Sequence, residues 1–135
     1  MTLNGIILEG ENLAAVSQAS EEDVRKAVKA LVPGTSFLSL TREDGSYVQA
    51  AGGRPWCVVE YRDVPNRQHL RAYQHTPQPK YKDGAKIRTG AGDIALRHDE
   101  WFLLKDAAEI FVAFLRGQPF PDRVQWRPLT GMPNL

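Results

Sequence analysis

The residues of this chain best equipped for chemistry are the run His98-Asp99-Glu100. A histidine beside two carboxylates can move a proton or hold a metal. On an extended segment alternate side chains face opposite ways, so His98 and Glu100 converge while Asp99 points away. Two convergent groups fall short of the ligand count of a zinc site, and His69, His75 and the single cysteine, Cys57, are scattered elsewhere. The triplet is expected to be a polar sheet edge or turn rather than a catalytic site. An enzyme built on His98 and Glu100 ranks last among the readings, and no catalytic residue, metal or cofactor is assigned.

Gly90-Ala91-Gly92-Asp93 and Gly52-Gly53 resemble fragments of phosphate loops. Neither is followed by a helical pattern whose N-terminus would present amides to a phosphate, so both are read as turns. Ser17, Ser20, Ser36, Ser39 and Ser46 offer hydroxyls, but none lies in the G-x-S-x-G turn that exposes a nucleophile. Acyl transfer has no support.

Charge is the more informative signal. The net charge is +1, yet Arg62 to Arg88 holds seven Lys or Arg against two Asp. Tyr61, Tyr73 and Tyr81 are interleaved with these cations. Arginine and lysine can meet phosphates while tyrosines stack on bases, which suits single-stranded nucleic acid. Tyrosine and arginine are equally the residues enriched at protein interfaces. A basic face can also be merely solvated. Within the segment, Arg67, Arg71, Tyr73, Lys80, Tyr81 and Lys82 are the candidate partner-binding residues.

Several elements must position these groups. Gly5 to Glu9 suggests an opening strand, and Glu11 to Ala19 a loop. Ser20 with Asp23 marks a helix start, Val24, Ala27, Val28 and Leu31 give its apolar stripe, and Pro33-Gly34 ends it. Strands follow at Ser36 to Thr41 and Tyr47 to Ala50, joined by a hairpin turn at Asp44-Gly45. Pro55 to Tyr61 is a nearly continuous apolar run that suits a central strand, and Cys57 within it is expected to be buried. His69 to Tyr73 alternates as a strand, Thr76 to Asp83 is an exposed loop, and Asp93 to Arg97 is a further strand. After Trp101 to Leu104, Asp106 and Glu109 have capping-box spacing. Ala107, Ile110, Phe111, Phe114 and Leu115 form one helical stripe that Gly117 stops. Val124 to Trp126 is a closing strand, and 127–135 a frayed tail.

This order, with short turns between consecutive strands, predicts an α+β fold of two layers. A largely antiparallel sheet carries two amphipathic helices on one face. At 135 residues the chain is one domain, large enough to bury roughly 65–70% of its unfolded surface without a staple. No stretch approaches the roughly 20 apolar residues that cross a bilayer, and no basic-then-apolar leader opens the chain. A soluble, cytoplasmic protein with no membrane partner is expected.

The C-terminal segment carries a resemblance. Leu104-Lys105-Asp106-Ala107-Ala108, Phe114-Leu115, Gly117, Pro121, Val124 and Trp126 resemble the type 1 immunity family found beside secreted toxins in bacterial polymorphic-toxin and contact-dependent inhibition systems. Phe37-Leu38-Ser39-Leu40, Asp44-Gly45 and the Gly52-Gly53 turn are similar, more loosely, to that family's paired N-terminal strands. The resemblance implies a cytoplasmic binding protein without catalysis or cofactor, which neutralises a cognate toxin domain by occluding it. Its toxin contacts vary too much to carry over to particular residues. The alternative is a nucleic-acid-binding accessory protein using residues 62–88. A toxin that meets this chain has either an acidic contact surface or a basic one that engages Glu9, Glu11, Glu21, Glu22 and Asp23.

Overall fold

The structure is a computed structural model that describes residues 6–11, 13–76 and 81–129. The fold is two-layer α+β: an antiparallel sheet with two helices on one face. Strands β3 (Leu38–Thr41), β4 (Tyr47–Gly53), β5 (Trp56–Asp63) and β6 (Gln68–Gln74) form a meander. At one edge β3 pairs with β1 (Ile7–Gly10), which pairs with β2 (Leu13–Ser17). At the other, β10 (Val124–Pro128) closes the sheet against β6. The two-residue β9 (Phe102–Leu103) pairs with the start of β5.

Helix α1 (Glu21–Lys29) begins as its capping pattern predicts. The Asp23 N–H donates to Ser20 Oγ at 3.0 Å and the Ser20 N–H to Asp23 Oδ2 at 2.9 Å, so two otherwise orphaned amides are satisfied reciprocally. Val24 and Val28 are its fully buried residues. Helix α2 (Leu104–Arg116) ends on Gly117 in the left-handed conformation, φ 66°, where a Cβ would be strained. The core lies between α1, α2 and the sheet. Leu8, Leu40, Val48, Val59, Phe102, Ile110, Phe111 and Phe114 meet there with almost no exposure. Burying each such side chain is worth about 1.5–3 kcal/mol. Cys57 is buried as expected, and the apolar surroundings push its thiol up to about 12.

Six expectations need correction. The loop expected over 11–19 contains β2, an edge strand held by backbone pairing to β1 rather than by an apolar period: Ala14 and Ala15 are exposed. Gly52-Gly53 is not a turn but the end of β4, opposite Cys57 and Trp56; the chain reverses at Arg54-Pro55. An unexpected strand, β7 (Ala85–Thr89), pairs with β8 (Gly92–Leu96) in a separate hairpin. Its pattern is short because Ile87 is its one large apolar residue. Helix α2 starts at Leu104, with no side-chain cap. Asp106 instead accepts from Arg123 at 2.7 Å and Glu109 from Arg25 of α1, so the capping-box pair is spent on tertiary ties. The tail is ordered through Pro128, in β10; residues 130–135 lie outside those described. The loop expected at 76–83 lies partly outside them too, at 77–80, and Tyr81 beyond it is half-buried rather than exposed.

The β7–β8 hairpin covers part of the face opposite the helices. Ala51 and Val58, cross-strand partners on that face, pack with Ile87, Leu96 and Trp101 in a second, smaller core.

Candidate functional site

Sheet register lines up Gln49, Glu60, Arg71 and Arg127 on four adjacent strands, β4, β5, β6 and β10. Their strand neighbours Val48, Ala50, Val59, Ala72 and Trp126 belong to the helix-side core. Strand alternation therefore points the row to the opposite face. There the Gln49 amide donates to Glu60 Oε1 at 2.9 Å, and Arg71 donates to Glu60 Oε2 through Nε at 3.1 Å and Nη2 at 2.8 Å. The segment before β9 brings two more carboxylates. Arg127 Nη1 donates to Glu100 Oε2 at 2.8 Å and to Asp99 Oδ1 at 3.0 Å, and Nη2 donates to Asp99 Oδ2 at 3.0 Å. Arg71 Nη1 lies 3.5 Å from Glu100 Oε1, which links the two halves.

The side chains of Glu60 and Glu100 are only 6% and 3% exposed, so these charges depend on each other. Burial pushes the Glu60 carboxyl up, but His69, Arg71 and Gln49 outweigh it and hold it below the usual range. Bonds from Arg127 hold Asp99 low, and Asp99 and Glu100 in turn raise Arg127. His69, also buried, turns Nε2 toward Glu60 Oε1 at 3.4 Å, a long contact, with its ring edge-on to Tyr47. Among the described residues no three His, Cys, Asp or Glu side chains cluster as a metal would require. Carboxylates and guanidiniums are mutually saturated, and what they accomplish is to tie residues 97–101 to the sheet.

The structure does not gather the predicted site residues into one patch. Arg67 is exposed at the β5–β6 turn, with φ 53°. Arg71 is absorbed by the ion network. Tyr73 is half-buried beneath Arg127, whose guanidinium lies 4.2 Å from the ring centroid. Arg67 and Tyr73 stand at opposite ends of β6, roughly 20 Å apart at the rise of a strand. Tyr81 stacks on Trp101 at 4.3 Å and meets Trp56 edge-on, inside the smaller core. Lys82 is exposed, and Lys80 lies outside the described residues. His98 and Glu100 do not converge: His98 is exposed with Nδ1 2.7 Å from Asp83 Oδ1, while Glu100 is buried. Asp99 joins Glu100 on Arg127 instead of pointing away, because residues 98–100 are a turn and not a strand.

Three further cations were not singled out from the sequence. On β7, Ile87 and Thr89 face inward while Lys86 and Arg88 are exposed; after β8, Arg97 is exposed as well. The signal available was the alternation Lys86-Ile87-Arg88. The hairpin that carries them is held at two points. A Cβ on Gly52 would lie 2.3 Å from Ile87 Cδ1, and one on Gly90 2.6 Å from the Ser36 nitrogen, so both glycines admit close approach. The Gly90 N–H donates to the Thr35 carbonyl at 2.7 Å and the Gly34 N–H to the Arg88 carbonyl at 3.3 Å.

Fold and site together define a small α+β domain whose sheet bears an internal ion network and a firmly seated cationic hairpin. No protein-family model matches the chain, and no curated protein matches it by sequence.

Proposed function

We propose that this is an immunity protein that binds a cognate toxin domain and neutralises it by occlusion. The observation that carries this reading is how polar groups are used on the face opposite the helices. Glu60, Arg71, Asp99, Glu100 and Arg127 satisfy one another, while exposed cations stand on the hairpin seated beside them. Such a surface is suited to recognition by shape and charge, which an inhibitor needs. The resemblance of residues 104–126 to the type 1 immunity family supports the same reading. Its helix, left-handed Gly117 and closing strand are all formed. Action in the cytoplasm belongs to this proposal. Among the described residues, no helix is long and apolar enough to cross a membrane.

The alternative, binding of single-stranded nucleic acid through 62–88, needs aromatic rings free to stack. Tyr73 and Tyr81 are already engaged by Arg127 and Trp101. The test is co-expression with the C-terminal domain encoded by the reading frame immediately upstream. Rescue of growth, together with a 1:1 complex by calorimetry, is the expected result. Continued toxicity, with no heat of binding, would discard the reading.

A further inference from the structure

Arginines on the helical side of the molecule are committed internally. Arg25 pairs with Glu21 and Glu109, Arg116 with Glu21, and Arg123 with Asp106. The hairpin differs. Lys82, Lys86, Arg88 and Arg97 are exposed and, among the described residues, none has an ion-pair partner within 4.0 Å. Cross-strand register makes them neighbours: Lys86 lies opposite Ala95 and Arg88 opposite Asp93, and Arg97 follows Ala95 on the same face. Residues two apart on one strand stand about 7 Å apart, and diagonal neighbours about 7–8 Å. Lys86, Arg88 and Arg97 therefore form a compact ladder. Lys82 adjoins it through the turn in which the Ala85 N–H donates to the Lys82 carbonyl.

We infer that the outer face of the β7–β8 hairpin is a docking surface for a partner protein with an acidic patch. The inference deepens the proposed function by assigning its contact face and the chemistry of its partner. Three observations support an acidic protein as the occupant. Like charges held together repel one another, and among the described residues no carboxylate lies within 4.0 Å of Lys86, Arg88 or Arg97, Asp93 opposite Arg88 being the one acidic side chain on their face. Seating against Gly52 and Ser36 fixes the strands beneath them, which lowers the entropy lost on binding. The outward residues Lys86, Arg88, Asp93, Ala95 and Arg97 include no aromatic ring on which a base could stack. Asp93 in the ladder also disfavours a phosphate backbone, whereas a protein surface can offer it a donor.

The face was hidden from a reading of the basic segment as one unit. Of its cations, Arg71 turns inward to Glu60, whereas Lys86 and Arg88 turn outward. Arg97 comes from outside that segment and joins them only through β7–β8 pairing.

The test is a charge reversal, Lys86→Glu with Arg88→Glu and Arg97→Glu, against the neutral triple change to Gln and the native chain. Each full-length protein is measured against three probes: the upstream-encoded C-terminal domain, poly-L-glutamate and oligo(dT). Thermal melting confirms that each variant is folded. The native chain is expected to bind the upstream domain with an association rate that falls about tenfold or more on charge reversal, less on neutralisation, and with rising salt. Poly-L-glutamate is expected to be retained at low salt by the native chain and lost by the reversed one. Binding of the upstream domain unchanged by reversal would overturn the inference while leaving the immunity reading standing. Should that domain fail to bind the native chain, the immunity reading falls, and the poly-L-glutamate arm still decides whether the ladder takes acidic protein. Tighter binding of oligo(dT) than of poly-L-glutamate, abolished by reversal, would reassign the face to nucleic acid.

Discussion

Two sets of charges share one side of this molecule and behave oppositely. In the row through Glu60, Arg71 and Arg127, each charge meets an opposite one at about hydrogen-bonding distance. On the neighbouring hairpin Lys86, Arg88 and Arg97 meet none among the described residues. Residue type does not separate the sets, since arginine serves in both. Burial does. The Arg71 side chain is 13% exposed and is tolerable there only because carboxylates compensate its lost hydration, whereas an exposed guanidinium keeps its water until a partner replaces it. The first set holds the hairpin's base in place, and the second is what the hairpin presents.

Breaking the buried set should give the largest effect. Glu100→Ala removes the carboxylate that faces both Arg71 and Arg127 and leaves two poorly solvated guanidiniums. A loss of about 3 kcal/mol or more is expected, read as a lower urea midpoint at unchanged slope. A loss under about 1 kcal/mol would place these groups with ordinary surface pairs and erase the contrast.

The link between the two regions comes next. Gly52 has φ 99° and its missing Cβ would overlap Ile87. Gly52→Ala therefore combines backbone strain with a clash and should cost about 2 kcal/mol. Amide exchange in β7 and β8 should speed up more than in β4 to β6. Uniform acceleration would show that the hairpin and sheet unfold as one unit.

Acid should distinguish the sets without a large structural change. Glu60 ordinarily titrates near 4.5 and Asp99 near 3.8, and both are lowered in the fold. A depressed carboxylate contributes stability that is complete above its ordinary value and is lost as pH falls through the folded value. Native stability should thus decline from about pH 4.5 downward, and Glu60→Gln should show a shallower decline over that range by chemical denaturation. Parallel curves would remove Glu60 from the acid response.

Reversing the exposed set should have the smallest effect on the fold. Lys86→Glu with Arg88→Glu and Arg97→Glu should change unfolding free energy by no more than about 0.5 kcal/mol per site, while partner association falls. A large loss of stability would mean that these cations serve the fold after all.

What could be read in advance follows the range of the interaction. Ser20 and Asp23 were legible as a cap because the motif closes within three residues. The Asp44-Gly45 turn was legible for the same reason, with Gly45 at φ 91° and its N–H on the Arg42 carbonyl. Asp106 and Glu109 have the same local spacing and misled, since distant Arg123 and Arg25 offered them better partners. Edge strand β2 escaped notice because backbone pairing holds it and its exposed residues carry no period. Strand β7 escaped because a hairpin with one covered face needs few apolar residues.

By itself, then, the chain specified its two helices, the central strands, the buried Cys57 and the closing strand. Periods of two and about 3.6 residues, with caps and turn residues, encode these locally. Only the tertiary structure decided which charges are spent and which remain. Glu60 and Arg71 are eleven positions apart and Asp99 and Arg127 twenty-eight, and sheet register with the 97–101 turn brings them into contact. A pairing shift of one residue would turn every side chain of a strand to the other face. Whether an arginine here lies against a carboxylate or faces solvent is therefore a property of register, which no local window of sequence contains.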